Sequence, residues 1–158
     1  MTSRSIRVSC LACVALLSHT PTAFAERTFR DWSVACETDG CTAATTLSAP
    51  DSTWLATLQV VPAEGGADLV MRLPLGIHIS SGVFISDGRT TLYPGTFTRC
   101  DQTGCRAILS MPPEMVDGWR AARKAQIRYR PASDAPVVAF EASLMGFTRA
   151  FAAAGDGQ

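Results

Sequence analysis

The sequence predicts an all-β fold: an antiparallel β-sandwich with one short helix and two hairpin disulfides. Three observations carry this expectation. Many short runs of β-branched and aromatic residues alternate with Gly, Pro and Asp turns. A helical repeat of apolar residues shows clearly in a single segment. Four cysteines fall into two copies of one spacing, Cys36-Glu-Thr-Asp-Gly-Cys41 and Cys100-Asp-Gln-Thr-Gly-Cys105, each with an Ala two residues after its second Cys.

The first stretch reads as an address. Arg4 and Arg7 precede the apolar run Val8 to Leu17, and Ala23-Phe24-Ala25 is a small-x-small cleavage site, so residues 1–25 are expected to be a secretory signal peptide. The mature chain would begin at Glu26, in the periplasm. The apolar run is shorter than the roughly 20 residues of a membrane-spanning helix, and no later segment approaches that length. A lipoprotein reading at Leu11-Ala12-Cys13 is weaker, because Cys10 stands where an aliphatic residue is favoured. Loss of residues 1–25 removes two arginines and no acid, so a chain with 14 basic and 14 acidic residues becomes slightly acidic. That argues against a general nucleic-acid binder. The remainder is expected to form one β-sandwich domain, residues 26–152, with a disordered tail over residues 153–158.

With Cys10 and Cys13 gone in the signal segment, Cys36, Cys41, Cys100 and Cys105 make an even set. Each pair follows a strand-like run with aromatics, Phe29 to Val34 and Tyr93 to Arg99, and brackets a short Gly-containing turn. The expected pairing is therefore local, Cys36 with Cys41 and Cys100 with Cys105, with Gly supplying a left-handed residue in a loop of three to four residues. Zinc is the alternative for four thiolates. Its pairs usually lie two to four residues apart, and an exported chain meets an oxidising compartment, so disulfides are favoured. There is no Cys-x-x-Cys to suggest thiol redox work.

Between the pairs, Trp54 to Val61 and Asp68 to Leu73 read as strands, and Pro74 makes Leu73 to Ile77 an expected edge strand or bulge. Asp87-Gly88 suits a two-residue hairpin turn, which would pair Val83 with Leu92 and place Val83, Ile85 and Leu92 on one buried face. Pro112-Pro113-Glu114 starts a helix whose apolar side carries Met115, Trp119 and Ala122. The period then changes to two, with Ala125, Ile127 and Tyr129 inward and Gln126, Arg128 and Arg130 outward. Val137 to Leu144 is a last long strand, and Phe147, Ala150 and Phe151 suggest a final turn or two of helix.

Several of these features together resemble the invasion-associated locus B family of exported bacterial proteins. They are Trp32 ahead of a Cys pair, Leu73-Pro-Leu-Gly-Ile77 followed by Gly82-Val83, the Cys100 to Cys105 pair with Gly104 and Ala107, and Ser143-Leu144-x-Gly146-Phe147 with Ala150. The likeness spans roughly residues 28–151. It implies an immunoglobulin-like β-sandwich in a bacterial envelope, in a family linked in pathogens to invasion of host cells. It brings no enzymatic activity, cofactor or catalytic residue with it.

The residues themselves offer no enzyme either. The mature chain has one histidine, His78, and a nucleophile at Ser80 or Ser81 on the same expected strand could not meet it in triad geometry. No metal, phosphate-loop or dinucleotide motif is present, and no cofactor is expected. One surface feature stands out. Arg120, Arg123, Lys124, Arg128 and Arg130 fall within eleven residues. Such a run is ordinarily a solvated face, and its functional reading is a docking patch for an anionic envelope component or an acidic protein. Trp32, Trp54 and Trp119 are expected in the core, where an exposed one would mark an interface. The sequence thus favours a non-enzymatic interaction module, with a carrier of a small or lipid-like ligand between the sheets as the alternative.

Overall fold

The computed structural model describes residues 26–156, so the expected signal segment and the last two residues lie outside it. Ten strands and two helices follow the chain: β1 Arg27–Phe29, β2 Trp32–Glu37, β3 Gly40–Ser48, β4 Trp54–Ala63, β5 Gly66–Leu73, β6 Val83–Ser86, β7 Leu92–Asp101, β8 Gly104–Met111, α1 Pro113–Ala121, β9 Lys124–Tyr129, β10 Val138–Ser143 and α2 Phe147–Gly155. Every pairing is antiparallel. The order is β1-β2-β3-β4-β5-β8-β7-β6-β9-β10. In β5 to β8 the chain leaves one strand, builds a three-strand meander and returns beside its start, a Greek-key connection.

One strand belongs to both layers. The first part of β7, Leu92 to Gly95, pairs with β6, and the part from Thr96 onward pairs with β8. A register break between Phe97 and Arg99 accompanies the bend. The sheet curls over at this strand, and its far ends meet: Asp31 N–H donates to the Met145 carbonyl at 3.2 Å, and the Trp32 indole N–H donates to the Ser143 carbonyl at 3.0 Å.

Side-chain alternation explains which face turns inward. In β5, Ala67, Leu69, Met71 and Leu73 are buried while Asp68 and Arg72 face solvent, and in β8 Cys105, Ala107, Leu109 and Met111 point inward. One cluster joins Ala67, Leu69, Met71, Leu73, Ala107, Leu109 and Met111 to Leu58, Val60, Val83, Ile85 and Ile127, the last five at zero exposure. Each such side chain contributes roughly 1.5–3 kcal/mol by leaving water.

Both expected disulfides are present, Cys36–Cys41 and Cys100–Cys105, each across a directly facing strand pair. The hairpin tips are tighter than expected. Glu37 faces Gly40 and Asp101 faces Gly104, leaving two residues in each turn, with φ of 129° at Gly40 and 127° at Gly104. A six-residue ring constrains the unfolded chain by roughly 2 kcal/mol per bridge on the loop-entropy model. Replacing both cysteines of one pair by Ala should therefore lower unfolding free energy by about that amount. Peptide mapping of the unreduced protein should find these two bridges; a bridge between the hairpins would refute the pairing.

Several expected elements are corrected. The Phe29 to Val34 run is two short strands, because the chain turns at Arg30-Asp31 with Arg30 at φ 58°. Pro74 does not mark an edge strand: β5 lies between β4 and β8, ends at Leu73, and residues 74–78 are a connection. The turn after β6 is longer than Asp87-Gly88 suggests. Ser86 faces Leu92 and Val83 faces Gly95, so five residues loop out, and Leu92 is 37% exposed while Val83 and Ile85 are buried. The loop is held from outside the hairpin. The Trp119 indole donates to the Ser86 carbonyl at 2.8 Å, and the Asp87 carbonyl and Gly88 pack so close to Gly118 and Ala122 that neither glycine has room for a Cβ.

The expected helix is α1, with Pro113 in its first turn and Met115, Val116 and Trp119 buried. A second helix, α2, starts at Phe147 and runs about two and a half turns, slightly more than the turn or two expected there. Its buried face, Phe147, Ala150, Phe151 and Ala154, follows the i, i+3, i+4, i+7 pattern and packs against β2, β3 and β4. Ala153 and Ala154 are buried within it, so residues 153–155, expected in the tail, are helical, while the last two residues lie outside the described ones. The alanines are strong helix formers, and packing supplies the stability a nine-residue helix lacks alone.

Candidate interaction surface

A groove of about 510 Å³ opens on the outer face of β6, β9 and β10. Period-two alternation builds it. While Val83 and Ile85 point into the core, Phe84 points out, opposite Pro94 on β7 and Arg128 on β9. Arg128 in turn faces Ala139 of β10, and Gln126 precedes it on the same face. Leu92, Val137 and Arg130 complete the rim. Phe84 is 36% exposed and Val137 48%, so apolar surface and guanidinium groups share one groove.

The structure divides the basic run. Arg128 and Arg130 line the groove. Arg128 Nε donates to the Gln126 side chain, and the Arg130 guanidinium donates to the Ala135 carbonyl. Neither has a carboxylate in ion-pair range among the described residues. Lys124 is on the same strand but pairs with Glu141 of β10. Arg120 lies elsewhere, paired with Asp117 at 3.1 Å and stacked over Phe151 of α2 at 5.1 Å. Arg123 is exposed, and its carbonyl accepts from Leu144 N–H at 2.9 Å. The five cations therefore do not converge, and the groove keeps two of them.

The apolar part of the groove was not read from the sequence. Leu92 was expected in the core, and Phe84 was unassigned although it stands out of phase with Val83 and Ile85. His78 and Ser81 also differ from expectation. They lie off the strands, around a 3-10 turn at Ile79–Ser81, with His78 Nδ1 and Ser81 Oγ 2.8 Å apart. The His78 ring has only this hydrogen-bond partner among the described residues, so no acid orients it as a catalytic base.

Trp32 and Trp119 are buried, each edge-on to Phe147 at 5.1 Å. Trp54 is half-buried at the start of β4, its indole N–H donating to Thr57 Oγ1 at 3.1 Å. Desolvation pushes the half-buried Tyr129 phenol beside the groove above its ordinary pKa, so it stays neutral at physiological pH.

Known proteins are similar to this chain in fold or in sequence. The crystal structure of invasion associated protein B from Bartonella henselae superposes with a TM-score of 0.76 at 20% identity, covering 84% of this chain and 96% of that one. An invasion protein B homolog of Brucella abortus (strain 2308) is 27% identical over 128 residues, which is 77% of this chain and 74% of the relative. A second such homolog, from Brucella abortus biovar 1 (strain 9-941), matches to the same extent. The family profile described as invasion associated locus B (IalB) protein matches residues 32–155, from the first residue of β2 to the last of α2, and the chain belongs to that family.

Proposed function

We propose that this protein is exported to the periplasm and acts there, without enzymatic activity, as an interaction module for a negatively charged protein or envelope surface. The observation that carries this reading is the open groove in which Arg128 and Arg130, lacking carboxylate partners, stand beside exposed Phe84, Leu92 and Val137. An apolar floor with a few polar groups that fix orientation is the general make-up of a recognition site. Export is supported by the signal-like pattern of residues 1–25. The relatives' names as invasion proteins support a place in the envelope. The alternative, a carrier with its ligand between the layers, has less support, since Leu58, Leu69, Met71, Ile85 and Ile127 fill that space at zero exposure.

The test separates two neighbouring cations. Arg128→Ser should weaken binding to immobilised envelope extract about tenfold at low salt, which corresponds to roughly 1.4 kcal/mol. Lys124→Ser should change it less, because Lys124 points to Glu141 and does not line the groove. Binding should also fall as ionic strength rises, since exposed charges are screened over about 10 Å at 0.1 M salt. Equal binding by the parent and Arg128→Ser would leave the groove as a solvated face.

A further inference from the structure

A second row of cations crosses the other layer. Arg72 on β5 directly faces Arg106 on β8, and Arg106 directly faces Arg99 on β7. Three like charges thus stand side by side on adjacent strands, an arrangement that works against sheet stability. Local partners compensate only in part. Arg99 lies 3.6 Å from Asp101, the one carboxylate in ion-pair range of the row among the described residues. Arg72 donates to the Thr103 carbonyl at 3.3 Å and to its hydroxyl, and Arg106 donates to Thr98 Oγ1 at 3.4 Å. Asp101 is itself engaged: hydrogen bonds from the Thr103 hydroxyl and then its N–H hold the carboxyl below its ordinary pKa.

The surface beside this row carries an apolar patch. One step along the strands, Val70 faces Ile108, which is 40% exposed, and these line a groove of about 1020 Å³ with Val61, Tyr93 and Pro94. Arg106 stands at one end of this groove. At the other, Asp68 accepts a hydrogen bond from the Ser110 hydroxyl at 3.2 Å. Ile108 and Val70 lie midway along the rise of about 13 Å from Arg106 to Ser110, where the first part of an apolar chain can lie.

We propose that this face binds a phosphate-bearing anionic lipid, its phosphate seated on Arg72, Arg99 and Arg106 and its apolar chain along Val70 and Ile108. Charge complementarity selects an anion, because three guanidinium groups share one occupied carboxylate, and a phosphate offers the oxygens that parallel guanidinium N–H groups match. The apolar patch of Val61, Val70, Pro94 and Ile108 beside the row selects an amphiphile over a free phosphate. This site is separate from the Arg128 groove, and either can fail alone.

The experiment measures binding of the oxidised, processed protein to vesicles of phosphatidylglycerol mixed with phosphatidylcholine, against vesicles of phosphatidylcholine alone. The parent should prefer the anionic vesicles. Arg106→Gln should lower that affinity at least tenfold without lowering Tm, since it removes the middle charge of a repelling row. Ile108→Ser should also weaken vesicle binding, whereas Arg123→Gln, exposed and lining neither groove, should leave it unchanged. The proposal is overturned if anionic vesicles are not preferred, or if Arg106→Gln binds like the parent. A Tm several degrees lower in Arg106→Gln would make the row structural. Binding that survives Ile108→Ser, or inorganic phosphate bound where vesicles are not, would exclude the lipid.

Discussion

Replacing Trp119 with Ala is expected to cost about 3–5 kcal/mol, a large share of the roughly 5–15 kcal/mol that holds a typical domain folded. Its side chain is at zero exposure, 5.1 Å from Phe147 of α2 and 6.2 Å from Trp32 of β2, in edge-on geometry with both. Such ring pairs add about 0.5–1.5 kcal/mol beyond the buried area. The indole N–H also holds the Ser86 carbonyl at the end of β6. The substitution would therefore open a cavity where α1, α2 and both layers meet, and would release the loop after β6. Trp119→Phe keeps a ring but leaves that carbonyl without its donor, so it should cost less, about 1–3 kcal/mol. Urea unfolding of the two variants measures both values. A loss below about 1 kcal/mol in Trp119→Ala would show that the cluster is not the junction described here.

The contrast between Cys36–Cys41 and the turn after β6 shows what was legible in the sequence. A hairpin closed by its own disulfide is decided within six residues, and the repeated spacing was enough to place both bridges. The Asp87-Gly88 turn is decided by residues about thirty positions away. Gly118 and Trp119 take hold of Asp87 and Ser86, and the shorter turn that local preference favours gives way to a five-residue loop. That shift puts Leu92 on the surface and so helps to build the groove.

The same division runs through the charges. Arg120 and Asp117 are three residues apart on one helix, so that ion pair could have been read from spacing. The Lys124–Glu141 pair needs the register of β9 against β10. The row Arg72, Arg106 and Arg99 draws on three strands and leaves no pattern in a single sequence. Position in a run therefore identified cations, while strand register decided which of them remain without an acid.

The second large effect is expected at Gly146, where two penalties coincide. It caps the start of α2 at φ 100°, a conformation costing an ordinary L-residue roughly 1–2 kcal/mol. A Cβ there would also collide with the Phe29 carbonyl at the end of β1. That carbonyl cannot easily withdraw, because the adjoining turn is tied down by Asp31 N–H on Met145 and Trp32 Nε1 on Ser143. Gly146→Ala should thus force apart the turn and the start of α2, at a cost of about 4 kcal/mol or more. Gly65→Ala provides the control. Gly65 has φ 73° but nothing within 4 Å of the added carbon, so it should show the backbone penalty alone, about 1–2 kcal/mol. The difference between the two variants in urea unfolding measures what the close approach of β1 to α2 requires. If Gly146→Ala loses no more stability than Gly65→Ala, the two ends of the curled sheet are not held together through this contact.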